Sequence, residues 1–305
     1  MQCETRKLLA GEEARARAFL RHRPLDNIIL LGLINDYGLT HPFCRGTFYG
    51  HFRNGNLVGV ALIGHHVVLS GGPHAVAAFA HIARRSRTDV HLMLGPETDA
   101  AAAFAPIFTG DGEAQPSYRC ETQQLMVLSE VATDAAADAL RPACAADTNE
   151  VAAMHALVCV EQTGIDPRAA DDAGFSARVA GRIERGRVWI AEDEQGICFK
   201  TDVACETERI AYVEGVVTRP DVRGMGVGVR HLASLCRQLL QRNERVCLFV
   251  RAGDTWAGSL YEKVGFRLHR PYRFIRFLRE RGQDFGALAL SGAASRPARE
   301  ALTIK

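Results

Sequence analysis

Arg223-Gly224-Met225-Gly226-Val227-Gly228 follows an apolar run over 211–218 and opens a helical pattern over about 227–241. Strand, glycine-rich turn and helix aim free backbone N–H groups, and the positive end of a helix dipole, at one point. That is the chemistry of a phosphate or pyrophosphate cradle. A dinucleotide fingerprint beginning at Gly224 would need Gly or Ala at position 229, where Val stands, and no Gly-Lys-Ser/Thr exists for a nucleotide P-loop. A glycine-rich helix start with no ligand remains the plain alternative. Within the next forty residues comes Asp254-Thr255-Trp256-Ala257-Gly258-Ser259-Leu260-Tyr261-Glu262-Lys263-Val264-Gly265-Phe266, separated from the turn by a strand signal over 246–250.

Arg223, Gly226 and Gly228 in the order Arg-x-x-Gly-x-Gly, with Ala257, Tyr261, Gly265 and Phe266 in register behind them, resemble the coenzyme-A segments of the GNAT N-acetyltransferases. Glu161-Gln162-Thr163-Gly164-Ile165-Asp166-Pro167, Phe199-Lys200-Thr201 and Glu214-Gly215-Val216 extend the likeness to an FR47-like bacterial branch with an extra N-terminal GNAT-like domain. Arg23-Pro24-Leu25-Asp26-Asn27 is similar to a part of that extra domain.

The resemblance implies an α/β fold with a mixed sheet, two tandem GNAT-like domains, and acetyl-CoA as co-substrate without a metal. It implies direct attack of an amine on the thioester. Coenzyme A would lie where two parallel strands part, over 212–218 and 246–250, against Val216, Val217 and Thr218. A backbone N–H at Val216 or Val217 would face the thioester oxygen. Arg223, Gly224, Met225, Gly226, Val227 and Gly228 would hold the pyrophosphate, although Arg223 could instead form a surface salt bridge. Asp254 and Ala257 fall in the next coenzyme segment. Asp254 stands where the family usually has Asn, and a carboxylate accepts hydrogen bonds without donating one.

Tyr261 matches the position of the family's general acid, because a phenol with a pKa near ~10 can protonate a departing thiolate. Packing of an aromatic ring on the sheet is its alternative. Glu214, on the strand lining the cleft, is the candidate general base, or else a solvent-facing carboxylate. Glu161, expected in a loop over the acceptor pocket, is a candidate for binding a cationic amine. A second functional reading is a coenzyme-A sensor or interaction module without turnover.

The elements that position these residues fall into two halves of the 305-residue chain, read as domains over 1–130 and 140–280 with a flexible tail over 281–305. In the first half, helices are expected over 11–21, 27–37, 75–84 and 99–108. Strands are expected over 47–52, 57–63, 67–70, 90–94 and 123–128, with a hairpin at Asn54-Gly55-Asn56. The first half repeats the second half's order, but Gly71-Gly72-Pro73-His74 lacks the Arg-x-x-Gly-x-Gly pattern, and Pro73 removes an N–H. This domain reads as degenerate, with no coenzyme A. In the second half Asp147 is expected to cap a helix reaching 160, with another helix over 175–185, and strands over 187–192, 197–204 and 266–277.

A net charge of +2 without a basic stripe argues against nucleic acid and a tRNA-borne acceptor. Nine cysteines without a C-x-x-C pair read as buried apolar residues of a reducing cytosol. His65-His66, His155, His231 and His269 show no metal-ligand spacing. The absence of a long apolar run points away from membranes. The protein is expected to be cytoplasmic, a monomer or homodimer, acting on a small-molecule or peptide amine.

Overall fold

The computed structural model describes residues 2–96, 99–110, 118–135, 140–163 and 166–277. The expected tail lies outside them. The first half runs β1 (Cys3–Lys7), α1 (Glu13–Leu20), α2 (Ile28–Tyr37), β2 (Gly46–Arg53), β3 (Asn56–Gly64) and β4 (His66–Gly71). It continues with α3 (Pro73–Arg84), β5 (Leu92–Pro96), α4 (Asp99–Thr109) and β6 (Tyr118–Leu128). The β2–β3 turn places Asn54 at φ 49° and Gly55 at φ 78°, the two positive values a tight right-twisted hairpin needs. Strand β1, which the sequence reading did not contain, adds an edge through pairs from Cys3–Arg53 to Lys7–Tyr49.

The second half runs β7 (Arg141–Pro142), α5 (Thr148–Thr163), α6 (Arg168–Glu184), β8 (Val188–Asp193), β9 (Gly196–Glu206) and β10 (Ile210–Thr218). Then come α7 (Val227–Leu240), β11 (Arg245–Arg251), α8 (Thr255–Val264) and β12 (Arg267–Phe277). Asp147, directly ahead of α5, ends a short 3-10 turn and accepts the Cys144 N–H at 2.7 Å. One local expectation is corrected. The segment expected as an open loop after Glu161 is largely helical; α6 already begins at Arg168 and kinks at Asp171, whose carboxylate accepts the Gly174 N–H.

The twelve strands among the described residues form one sheet in the order β1-β2-β3-β4-β5-β12-β6-β11-β10-β9-β8-β7. Within it β4–β5 and β10–β11 are the parallel pairs of the described residues. The last strand of each half is exchanged: β12 pairs with β5, and β6 pairs with β11. Pro271 in a central strand is accommodated because the ladder to β5 starts only at Tyr272–Pro96, so its missing N–H has no partner to lose on that side.

Helix α2 (Ile-Ile-Leu-Leu-Gly-Leu-Ile-Asn-Asp-Tyr) is apolar on most of its surface because it is covered from both halves. Its Leu30, Leu31 and Ile34 share a core with Tyr212, Phe249 and Tyr272. At Gly32 a Cβ would stand 2.2 Å from Cys205 Cβ, so α2 meets β9 at backbone contact distance. The loop at Asp26 closes the same seam: Arg270 donates to its carboxylate at 3.0 Å and the Tyr272 hydroxyl at 3.1 Å. Helices α7 and α8 cover the opposite face over Val213, Val216, Leu248 and Val250.

Candidate active site

Strands β10 and β11 are paired only at Ile210–Arg245, Ala211–Val246 and Tyr212–Cys247. Beyond Tyr212 they part, leaving a V whose edges are the backbone of residues 213–218 and 248–251. On its other side β10 pairs with β9, with an irregularity between Glu214 and Val217. Gly215, at φ 61°, makes this bulge. The inserted residue resets the side-chain alternation. Val213 and Val216 therefore face α7 and α8, whereas Glu214 and Val217 face α5 and α6.

The glycine turn closes the open end of the V. Gly224 and Gly226 sit at φ 83° and 79°, values that suit glycine alone without strain. Gly226 caps α7 with no side chain of its own, so Val227 and Gly228 begin a helix whose first N–H groups have no intrahelical partner. At Gly228 a Cβ would stand 2.7 Å from Leu260 Cδ1 and 2.9 Å from Thr218 Oγ1, so the turn packs directly on strand end and α8. Met225 is 65 % exposed at the tip of the turn. This backbone cradle has the donor chemistry a pyrophosphate needs.

Arg223 closes the base of the turn. Its Nε donates to the Thr218 carbonyl at 2.9 Å, and its guanidinium meets Glu161 at 3.0 Å and lies over the Trp256 ring. Glu161 lies in the last turn of α5, not in an open loop, and it does not line the cavity described below. Asp254 caps α8 by accepting the Ala257 N–H at 3.0 Å. Here a carboxylate serves as well as an amide would. Tyr261 is 1 % exposed, packed edge-on to Phe266. Burial, and secondarily the Asp254 charge, raises its pKa, so the phenol keeps its proton at neutral pH.

Glu214 is buried on the other face of β10, in a charged group that sequence reasoning had not assembled. Its Oε1 pairs with Arg182 at 3.1 Å, Arg182 also reaches Asp202 at 2.9 Å, and Lys200 holds Asp202 at 2.7 Å. His155 Nδ1 lies 3.2 Å from the Lys200 ammonium. The Tyr212 phenol hydrogen-bonds the Glu214 carboxylate, yet Glu214 Oε2 and Asp202 Oδ1 have no hydrogen-bond partner among the described residues. Desolvation raises the Glu214 pKa above the ordinary carboxylate range, against the opposing pull of Arg182. For Asp202, Lys200 and Arg182 outweigh burial and the pKa is lowered. The signal for this group was available: Lys200, Asp202 and Glu214 are charges inside otherwise apolar strands. Arg182 and His155 become partners only through the packing of α5 and α6.

The group forms the floor of a cavity of about 550 Å³ whose walls come from both halves, including Leu33, Tyr37, Phe43 and Leu62 from the first and Phe175 from α6. A group of three or more residues able to hold a metal is absent among the described residues. No disulfide forms among the described residues; Cys3, Cys120 and Cys144 are exposed, correcting the expectation that all are buried. No helix among the described residues is long and apolar enough to cross a membrane.

Residues 201–275 match the family model of FR47-like proteins, a segment that holds β10, the glycine turn and α8. An acetyltransferase of the GNAT family from Colwellia psychrerythraea superposes with a TM-score of 0.57 at 14% identity, covering 91% of this chain and 99% of that one. A tandem GNAT protein from the clavulanic acid biosynthesis pathway gives a TM-score of 0.56 at 14% identity, over 90% and 98%. The chain has a tandem GNAT fold. A GCN5-related N-acetyltransferase from Sphaerobacter thermophilus superposes at a TM-score of 0.59 and 13% identity, over 90% of this chain and 95% of that one. Comparison with curated proteins finds no match. The FR47-like segment lies wholly in the second half of the chain and ends within the exchanged strand β12.

Proposed function

We propose that the chain is an acetyl-CoA-dependent N-acyltransferase that acetylates an amine of a small molecule or peptide. The observation that carries this reading is the V between β10 and β11, closed by the glycine turn at Gly224–Gly228. Its backbone edges suit the amides of an extended pantetheine arm, and the turn suits a pyrophosphate. Val216, Val217 and Thr218 supply the strand edge; Arg223, held by Glu161, braces the turn and adds positive charge.

Bound acetyl-CoA supplies an acyl thioester. As the amine's new C–N bond forms and the C–S bond breaks, Glu214 takes the proton the nitrogen loses, directly or through water. Tyr261 donates its phenolic proton to the sulfur. A buried carboxylate with a raised pKa is a stronger base than an exposed one, and a buried phenol arrives protonated.

The test is release of free thiol from acetyl-CoA with a panel of amines. The proposal expects turnover, and a fall of about 10²-fold or more in Tyr261→Phe and Glu214→Gln. No thiol release across the panel, with coenzyme A bound tightly, would favour a sensor or interaction module instead.

A further inference from the structure

The cavity above Glu214 is lined by six cations, Arg45, Arg178, Arg182, Arg185, Arg187 and Lys200, and three anions, Asp36, Asp202 and Glu214. Most of these charges neutralise one another. Arg187 pairs with Asp36 at 2.8 Å, Arg178 with Asp171 at 3.2 Å, and Arg182 and Lys200 with the two floor carboxylates. Two arginines remain. Arg45 and Arg185 have no carboxylate within salt-bridge distance among the described residues. Arg185 donates to the Tyr37 hydroxyl and lies over the Tyr37 and Phe43 rings. Arg45 has a left-handed backbone, φ 53°, at the end of the turn Pro42–Cys44. That conformation is disfavoured for any residue with a Cβ and persists where the surroundings enforce it. The nearby histidines add no charge at neutral pH: burial and Arg45 push His66 down to about 4, and lower His65 and His91 as well.

The floor has the opposite character. Glu214 Oε2 and Asp202 Oδ1 are buried acceptors without donors among the described residues, on side chains 2 % exposed. An orphaned carboxylate oxygen in such a place costs free energy that an N–H donor would recover. The cavity is thus polarised, with unsatisfied acceptors at the floor and unpaired guanidinium groups at the rim. Its walls between them are apolar, through Leu33, Leu62, Val68 and Phe175.

We infer that the acceptor is an amino acid with an apolar side chain, its amine on Asp202 and Glu214 and its carboxylate on Arg45 and Arg185. This rests on the acyltransferase reading and adds the substrate class. It also gives the first GNAT-like half a part in catalysis, because Arg45 from the segment before β2, with Tyr37 and Phe43, forms the anion-binding wall of the second half's site. The cavity volume is in the range of small-ligand sites and admits a residue as large as phenylalanine.

The experiment measures calorimetric binding of the twenty protein amino acids to the full chain, with phenethylamine and isoamylamine as carboxylate-free counterparts of phenylalanine and leucine. Acetyl transfer to each is followed in parallel. The inference expects an apolar amino acid to bind at least about tenfold more tightly than its decarboxylated partner. In Arg45→Ala and Arg185→Ala that ratio falls towards one, with circular dichroism reporting that the variants fold. Equal or tighter binding of the amines overturns it, as does failure of every amino acid to bind. Separate titration with coenzyme A keeps the two claims apart. If coenzyme A does not bind, the acyltransferase reading falls; if it binds and only carboxylate-free amines are acetylated, only the substrate class falls.

Discussion

The two halves of the sheet each contain a parallel strand pair followed by a glycine-containing turn and a helix, yet only one makes a cradle. In the first half, β4 reaches Gly71 and α3 begins at Pro73, so one residue separates strand from helix. Gly72 is extended at φ −78°, and Pro73 supplies no N–H to the first turn. In the second half, eight residues lie between Thr218 and Val227, enough for a 3-10 turn and two left-handed glycines that rotate their peptides ahead of α7. The strands differ as well. β4 reads His-Val-Val-Leu-Ser-Gly and brings no carboxylate to its sheet face, whereas β10 buries Glu214 at a bulge. Equal topology therefore does not confer equal chemistry. What separates the halves is loop length, two positive φ angles and one charged residue.

The largest effect that sharpens this contrast is expected at the strand. Glu214→Gln should lower kcat by about 10²–10⁴-fold, read by thiol release at saturating substrates. The same residue sets a pH signature. Because its pKa is raised, its base form is lost as pH falls through a value above the ordinary carboxylate range, so kcat/KM should decline on an acid limb displaced upward from that range. Gln at 214 should remove that limb, and a limb that stays would assign it elsewhere.

Next is the turn. Gly228→Val drives a side chain into Leu260 and Thr218; overpacking of about 1–3 kcal/mol on the cradle should weaken coenzyme-A binding by roughly 5–150-fold. Unchanged affinity by calorimetry would remove the turn from the site.

A stability effect of about 1–3 kcal/mol is expected for Gly32→Ala, measured by denaturant unfolding, because the new methyl meets Cys205 across the seam between the halves. If the halves were merely tethered, that substitution would be silent. The smallest effect belongs to the turn without a cradle. At Gly72 a Cβ meets nothing within 4 Å and φ is negative, so Gly72→Ala, an exchange at the N-cap of α3, should cost no more than about 1 kcal/mol and leave coenzyme-A affinity alone.

Much of this contrast was legible in the sequence, because it is local. Arg223–Gly228 and Asp254–Phe266 announce their turns, caps and helix by residue type, and Pro73 marks the first turn as unable to match them. The hairpin at Asn54–Gly55 was readable for the same reason. What was not legible depends on long-range packing. Periodicity gives the faces of β6 and β12 but not their neighbours, so the strand exchange was out of reach. The roles of Glu161 and Glu214 also depend on distant elements: one is claimed by Arg223, the other is drawn into a buried network by Arg182 from α6. Arg45 sits far from any motif, and only the fold brings it to the mouth of the second half's cavity.

The central claim is that the tandem GNAT fold holds a single coenzyme-A site, in the V of the second half. Titration calorimetry of the full chain with coenzyme A tests it most directly. The predicted result is one site per chain, weakened in Gly228→Val and retained in Gly72→Ala. Two sites per chain, or full binding by Gly228→Val together with loss in Gly72→Ala, would contradict it.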